Sequence, residues 1–315
     1  MNISVLDAGT LGTDLDLSVL NGFGTVSVYE STSTNDTAQR VKDAEVVIVN
    51  KVKLSESVLE GAAALKLICV AATGFDNVDT AACKRLGIAV CNVAGYSTDS
   101  VAQITVATAL HLACNYGTYL PFVSEGRYSV SATANKVEPP FYELRGKTWG
   151  IVGYGNIGKQ VGRIAEAFGC KLMVCKRNAE EGVNCVDIDT LCKEADIISL
   201  HTPLNNSTKL LINSRRIAMM KKGVILVNAA RGLVADEKAL AEAVLNGHIG
   251  GLGIDVYSAE PMARTHPFYA IRSLPNVCLT PHMAWAAYEA RKRCLDEMVQ
   301  NIQAFLKGER RNRVD

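Results

Sequence analysis

The chain has 315 residues, 48% of them hydrophobic and 21% charged, and its 33 Lys and Arg stand against 32 Asp and Glu for a formal net charge of +1 at pH 7. At roughly 100–200 residues per domain this length implies two domains with material for a sizeable core, which excludes a small stapled scaffold. The mixed, near-neutral composition is that of a folded protein, neither disordered nor fibrous, and it argues against nucleic acid as a partner.

The first half alternates short β-branched runs at 3–6, 26–29, 46–49, 67–70 and 89–91 with helix-like spacing at 37–42, 55–61 and 78–86. Such a βαβα rhythm predicts a parallel sheet covered by helices. A long run at 97–115, apolar on nearly every side, predicts a broadly buried helix at a domain junction or subunit interface. Residues 116–144 are rich in Tyr, Ser and Pro and show little periodicity, which reads as an arm packing on something else, and with the preceding helix suggests a homodimer. The rhythm restarts with strands at 148–152, 171–175, 196–200, 224–228, 250–255 and 277–280, giving a second sheet. A last helix at about 286–307 carries the chain away from that sheet; if it returns to the first domain, that domain is discontinuous. The cationic tail Arg310, Arg311 and Arg313 reads as frayed.

The ten cysteines include no C-x-x-C pair and sit mostly in apolar runs, the pattern of buried free thiols in a reducing cytoplasm; neither a zinc cage nor a disulfide framework fits. The start of the chain lacks a basic n-region and an apolar h-region, and no apolar run approaches the ~20 residues that span a bilayer. Cytoplasmic is the expectation, with no membrane partner.

The chemistry concentrates in the second half. In TWGIVGYGNIGKQVGRIAEAF, Gly153, Gly155 and Gly158 have G-x-G-x-x-G spacing between a strand and a helix. Gly153 is suited to a tight turn, Gly155 to close approach of a pyrophosphate, and Gly158 to close helix–strand packing, so a dinucleotide is the expected ligand. The next strand, 171–175, should end on the acid that holds an adenosine ribose, and the chain instead reads Lys176, Arg177, Asn178. Two cations there favour the 2′-phosphate of NADP; the alternative is NAD held through backbone contacts, with the cations in solvent. Three polar residues, Arg231, Glu260 and His282, stand at later strand ends, where open α/β sheets bind ligands. Together they would make a carboxylate clamp and an acid/base pair.

At these residues the chain resembles the D-isomer-specific 2-hydroxyacid dehydrogenases, through ATGFDNVD (72–79), VGYGNIG (152–158), HTPLNNST (201–208), NAARG (228–232), GIDVYSAEP (253–261) and TPHMAW (280–285). Within the family it is most similar to the glycerate dehydrogenase and hydroxypyruvate reductase group, given LGTDLDLS, NKVKL and CNVAGYST. The resemblance implies an α/β fold of two Rossmann-like, doubly wound parallel-sheet domains with a cleft between them. A discontinuous substrate domain would cover 1–99 and 287–315, and a dinucleotide-binding domain 100–286. It implies an NAD(P)-dependent oxidoreductase interconverting a small 2-keto acid and its D-2-hydroxy acid. Arg231 would hold the substrate, His282 would donate the proton to the ketone oxygen, and Glu260 would orient the imidazole and favour its cationic form. Lys51 and the backbone around Thr73 and Gly74 would complete the substrate site, and Trp285 would line it. Asp255 would lie near the nicotinamide carboxamide, while Asn156, Ile157, Thr202, Pro203, Thr208, Ala229 and Ala230 would line the cofactor. No metal is implied. Two rivals use the same glycine loop: a dinucleotide-sensing, corepressor-like interaction protein, and a methyltransferase, which gives Arg231, Glu260 and His282 no shared task.

Overall fold

The structure, a computed structural model, describes residues 1–315. The chain forms two compact units, one of residues 1–97 with 286–315 and one of residues 98–285. The first is therefore discontinuous, and the last helix, Tyr288–Leu306, belongs to it and packs on its sheet.

In the first unit the alternation becomes β1 (Asn2–Val5), β2 (Thr25–Val28), α1 (Thr34–Val41), β3 (Val46–Val49), α2 (Glu56–Glu60), β4 (Leu67–Val70), α3 (Thr80–Leu86) and β5 (Ala89–Cys91). The strands are parallel, in the order β2-β1-β3-β4-β5. β3 and β4 are buried at every position, as continuous Val, Ile and Leu runs in the middle of a two-faced sheet must be. Asp7 lies just beyond β1, where the strand order reverses, and is 5% exposed. Its carboxylate accepts the backbone N–H groups of Asn50 at 2.9 Å, Lys51 at 2.5 Å and Val52 at 3.1 Å, so it pins the loop that follows β3. The C-terminal tail departs from expectation. It runs along β5, where Asn92 N–H donates to Asn312 and Val314 N–H donates to Val90, and Asp315 pairs with Arg313. The partner strand lies more than 200 residues away in sequence, so local polarity alone suggested fraying.

The second unit opens with α4 (Thr98–Ala113) and α5 (Tyr116–Ser124). The latter corrects the aperiodic arm: the segment begins with a helix that contains Pro121 and buries none of its residues, so no apolar face marked it. There follow β6 (Thr148–Val152), α6 (Asn156–Ala167), β7 (Lys171–Cys175), α7 (Ile188–Glu194), β8 (Ile197–Leu200), α8 (Ser214–Met219), β9 (Val224–Asn228), α9 (Glu237–Leu245), β10 (Ile249–Ile254) and β11 (Val277–Leu279). The six parallel strands run in the order β11-β10-β9-β8-β6-β7, and a bridge from Val174 to Cys185 adds a vestigial partner outside β7. The order reverses at β6, which opens a crevice between the C-terminal ends of β6 and β8. Beneath it, Trp149 is fully buried and its indole N–H donates to Ser199 Oγ at 3.0 Å, which ties β6 to β8. No helix in the chain is long and apolar enough to cross a membrane.

Candidate active site

The glycine loop sits at that crevice. Gly153 has φ +92°, a conformation that favours glycine, and a Cβ there would lie 2.7 Å from the His201 carbonyl beyond β8. A Cβ on Gly158 would lie 2.3 Å from the Gly153 oxygen and 3.1 Å from Ile151, so the helix and strand pack at a distance only glycine allows. Gly155 is different, because a Cβ there would meet nothing within 4 Å. Gly155 is also the N-cap of α6 and no side chain caps that helix, whose first-turn N–H groups, including those of the exposed Asn156 and the half-buried Ile157, face outward with the positive end of the dipole. The loop thus fits a diphosphate, with an open approach and donors free of side-chain caps.

At the end of β7, Lys176 does not stand alone. Its ammonium pairs with Glu180, four residues on, and the other oxygen of Glu180 accepts from Lys159 of α6 at 2.8 Å. Those two hydrogen bonds, Lys159 first, hold the Glu180 carboxyl down to about 2. Arg177 is exposed and makes no ion pair. Beyond β8, Thr202 and Pro203 lead into a turn closed by Thr208, whose hydroxyl donates to the Pro203 carbonyl at 2.6 Å. Both ring nitrogens of His201 are out of solvent and lack a hydrogen-bond partner, and desolvation pushes the imidazole down to about 4.

Arg231, Glu260 and His282 follow β9, β10 and β11, three neighbouring strands. Three contacts bind their loops to one another. A Cβ on Gly232 would strike the backbone of Tyr257 and Ser258 at 2.1–2.3 Å, which sets the Arg231 turn directly against the loop carrying Glu260. The Tyr257 hydroxyl donates to the Thr280 carbonyl at 2.9 Å, two residues before His282. Glu260 itself spans the gap: Oε1 accepts the Tyr257 N–H at 3.0 Å and Oε2 lies 2.6 Å from His282 Nδ1. His282 and Glu260 keep 23% and 31% of their side chains exposed, so the pair is reachable. His282 has φ +54°, rare for a residue with a Cβ, and strain of that kind persists where surrounding contacts over-determine it.

Asp255 supplies those contacts. It is 4% exposed, and its carboxylate accepts the Thr280 hydroxyl at 2.6 Å and the N–H groups of Met283 at 2.8 Å and Ala284 at 3.0 Å. It grips the His282 turn from both sides, a structural task that the sequence did not reveal. On the other side of Arg231, Asn228 donates to the Arg231 carbonyl at 3.0 Å and accepts from the Ala230 N–H, and the half-buried Ala229 lies between them. A second buried pair supports the Glu260 loop: Glu237 accepts the Ser258 N–H at 2.8 Å and His266 Nε2–H at 2.9 Å, while His266 Nδ1 accepts the Phe268 N–H. Glu237, His266 and Tyr257 carried no sequence signal, since their contacts cross between loops. Trp285 is half-buried at the end of this unit.

The remaining expected residues lie in the first unit. Lys51 sits on the loop held by Asp7. Thr73 donates to the Val93 carbonyl at 2.9 Å and its own carbonyl accepts from Asn92, which fixes the exposed Thr73 and the turn at Gly74 after β4.

A sequence model of the family described as "D-isomer specific 2-hydroxyacid dehydrogenase, NAD binding domain" matches residues 106–284. The hydroxypyruvate reductase of Blautia hydrogenotrophica is 37% identical over 317 residues, covering 98% of each chain. The D-lactate dehydrogenase of Aquifex aeolicus, solved with NAD and lactic acid, is similar with a TM-score of 0.85 at 30% identity, over 98% of this chain and 96% of that one. An acyclic imino acid reductase solved with NADPH and D-Arg has a TM-score of 0.86 at 29% identity, over the full length of both chains.

Proposed function

Because the chain belongs to the D-isomer specific 2-hydroxyacid dehydrogenase family, an oxidoreductase family that uses a nicotinamide dinucleotide, we propose that it reduces hydroxypyruvate or glyoxylate to the corresponding D-2-hydroxy acid. The observation that carries this reading is the meeting of the Arg231, Glu260 and His282 loops on three adjacent strand ends, with the His282–Glu260 pair closed at 2.6 Å on the same sheet edge as the open glycine loop.

When bound, the dinucleotide supplies the hydride. The Gly153–Gly158 loop and the start of α6 hold its diphosphate, and the residues at 202–208 and 229–230 line it. Arg231 holds the substrate carboxylate with a planar fork matched to two oxygens. His282 gives its Nε2 proton to the ketone oxygen in reduction and takes it back in oxidation, because Nδ1 is committed to Glu260. Glu260 keeps the ring from rotating by holding its Nδ1. Trp285 borders the substrate side chain.

For the cofactor, Lys176 and Arg177 replace the ribose-binding acid and favour NADP. The exposed apolar side chains of the 116–144 segment, among them Leu120, Val123, Val137 and Phe141, support a homodimer, which light scattering at micromolar concentration tests. The ten free thiols fit a reducing, cytoplasmic setting. Oxidation of NADH and NADPH against a panel of 2-keto acids tests the function: hydroxypyruvate or glyoxylate gives the highest kcat/KM, and a chain inactive on every acid would refute it.

A further inference from the structure

The charge beside the glycine loop is arranged differently from what the strand-end sequence implies. Lys176 stands where dinucleotide-binding sheets meet the adenosine ribose, and Lys159 projects from the first turns of α6. Both ammonium groups lie near the face of Tyr154, the residue between the first two glycines of the loop, at 5.8 Å and 6.0 Å from its ring centre. This ties the two cations to the loop itself. Between them sits a single carboxylate: Glu180 Oε1 accepts from Lys159 at 2.8 Å, and Oε2 pairs with Lys176. One anion with two oxygens, each on a different ammonium, is the pattern a phosphate would make with the same lysines.

We propose that Glu180 is a specificity-determining residue for the dinucleotide, a tethered carboxylate that holds the Lys159–Lys176 position a ribose 2′-phosphate would take, so that the phosphate binds there only by displacing it. The proposal rests on the dinucleotide reading given above and deepens it. Without Glu180, two uncompensated cations would face the phosphate. With it, Lys176 and Lys159 exchange one anion for another, and the preference left to the unmodified protein comes mainly from Arg177. Glu180 also differs from a ribose-binding acid, because its two oxygens are already engaged by ammonium groups.

The test is direct binding of NADPH and NADH, followed by cofactor fluorescence without substrate, in the unmodified protein and in Glu180→Gln. Gln keeps the size and removes the charge, and the position is partly exposed, so the fold is retained. We expect Glu180→Gln to lower the Kd for NADPH by about tenfold or more and to change that for NADH by less than about threefold. Adding Lys159→Ala should cancel most of the gain, and raising the ionic strength should shrink it. A Glu180→Gln protein whose NADPH affinity is unchanged, or whose NADH affinity falls more than its NADPH affinity rises, would overturn the proposal and leave the dinucleotide reading standing. Failure of both proteins to bind either cofactor would overturn the two together.

Discussion

Two glycines three residues apart should respond to the same substitution in opposite ways, and this separates a ligand seat from a packing requirement. At Gly155 the backbone is extended, with φ −84° and ψ −159°, and an added Cβ meets nothing within 4 Å. Gly155→Ala should therefore cost no more than about 1 kcal/mol of stability, the scale of an N-cap change. At Gly158 the added carbon lies 2.3 Å from the Gly153 oxygen, a backbone atom fixed by its own left-handed turn. Relief requires moving α6 off β6, and overpacking of that kind costs about 1–3 kcal/mol. For a unit of this size, that is a fall in Tm of several degrees, at roughly 2–4 °C per kcal/mol. Cofactor binding should show the reverse contrast. The Gly155→Ala methyl group stands in the approach to the α6 N-terminus and should raise the Kd for NADH and NADPH at least about tenfold, or about 1.4 kcal/mol. Thermal melts and fluorescence titrations on the two variants read both quantities. If Gly155→Ala binds as tightly as the unmodified protein, these are turn glycines and the loop is not the seat. If Gly158→Ala melts unchanged, the close-packing argument fails.

Asp255→Ala should strand the N–H groups of Met283 and Ala284 and lower stability by about 2–5 kcal/mol in urea unfolding; a loss below about 1 kcal/mol would show that the His282 turn holds itself. Arg231→Ala should abolish keto-acid turnover while leaving the cofactor Kd within about twofold, and Arg231→Lys should fail to rescue it because a point charge does not replace the fork; near-normal kcat/KM in either would remove the clamp. His282→Asn should reduce kcat by about 10²–10⁴-fold with cofactor binding intact, the usual contribution of general acid–base catalysis, and a smaller drop would point to another proton donor. His201, with its imidazole pushed down to about 4 against an unfolded value near 6.5, binds its proton more readily in the unfolded chain. Its contribution to stability is full above about pH 6.5 and is lost as pH falls toward 4, about 2 kcal/mol between pH 7 and 5; His201→Leu should flatten that dependence in urea unfolding, and an unchanged slope would place the burial cost elsewhere.

Much of the architecture was legible because both sheets advertise themselves locally. The runs at 46–49, 67–70, 148–152, 171–175 and 224–228 are strands with those bounds, and the glycines at 153, 155 and 158 stand between β6 and α6. What escaped depends on contacts between distant segments or on the lack of a buried face. The α5 helix has no buried side to impose a period of 3.6, and it contains a proline. Glu180 lies in a polar stretch that reads as solvated, and only the arrival of Lys159 from α6 gives it a role. For Asp255 the family resemblance implied a place near the nicotinamide and nothing more; its bonds to Met283 and Ala284 depend on a turn nearly thirty residues on.

The carboxylate of Asp7 bears on stoichiometry. Both sheets reverse strand order and so both offer a crevice, yet the first fills its own with a side-chain anion that already takes three backbone N–H groups. The chain after β1 also enters a 3-10 turn, Ala8–Leu11, where β6 leads into the twelve-residue α6. A diphosphate arriving at the first crevice would find its donors taken, a resident negative charge and no helix dipole. Two sheets of kindred topology therefore divide the work: one is sealed by its own acid and the other left open, so that calorimetric titration should count one dinucleotide per chain.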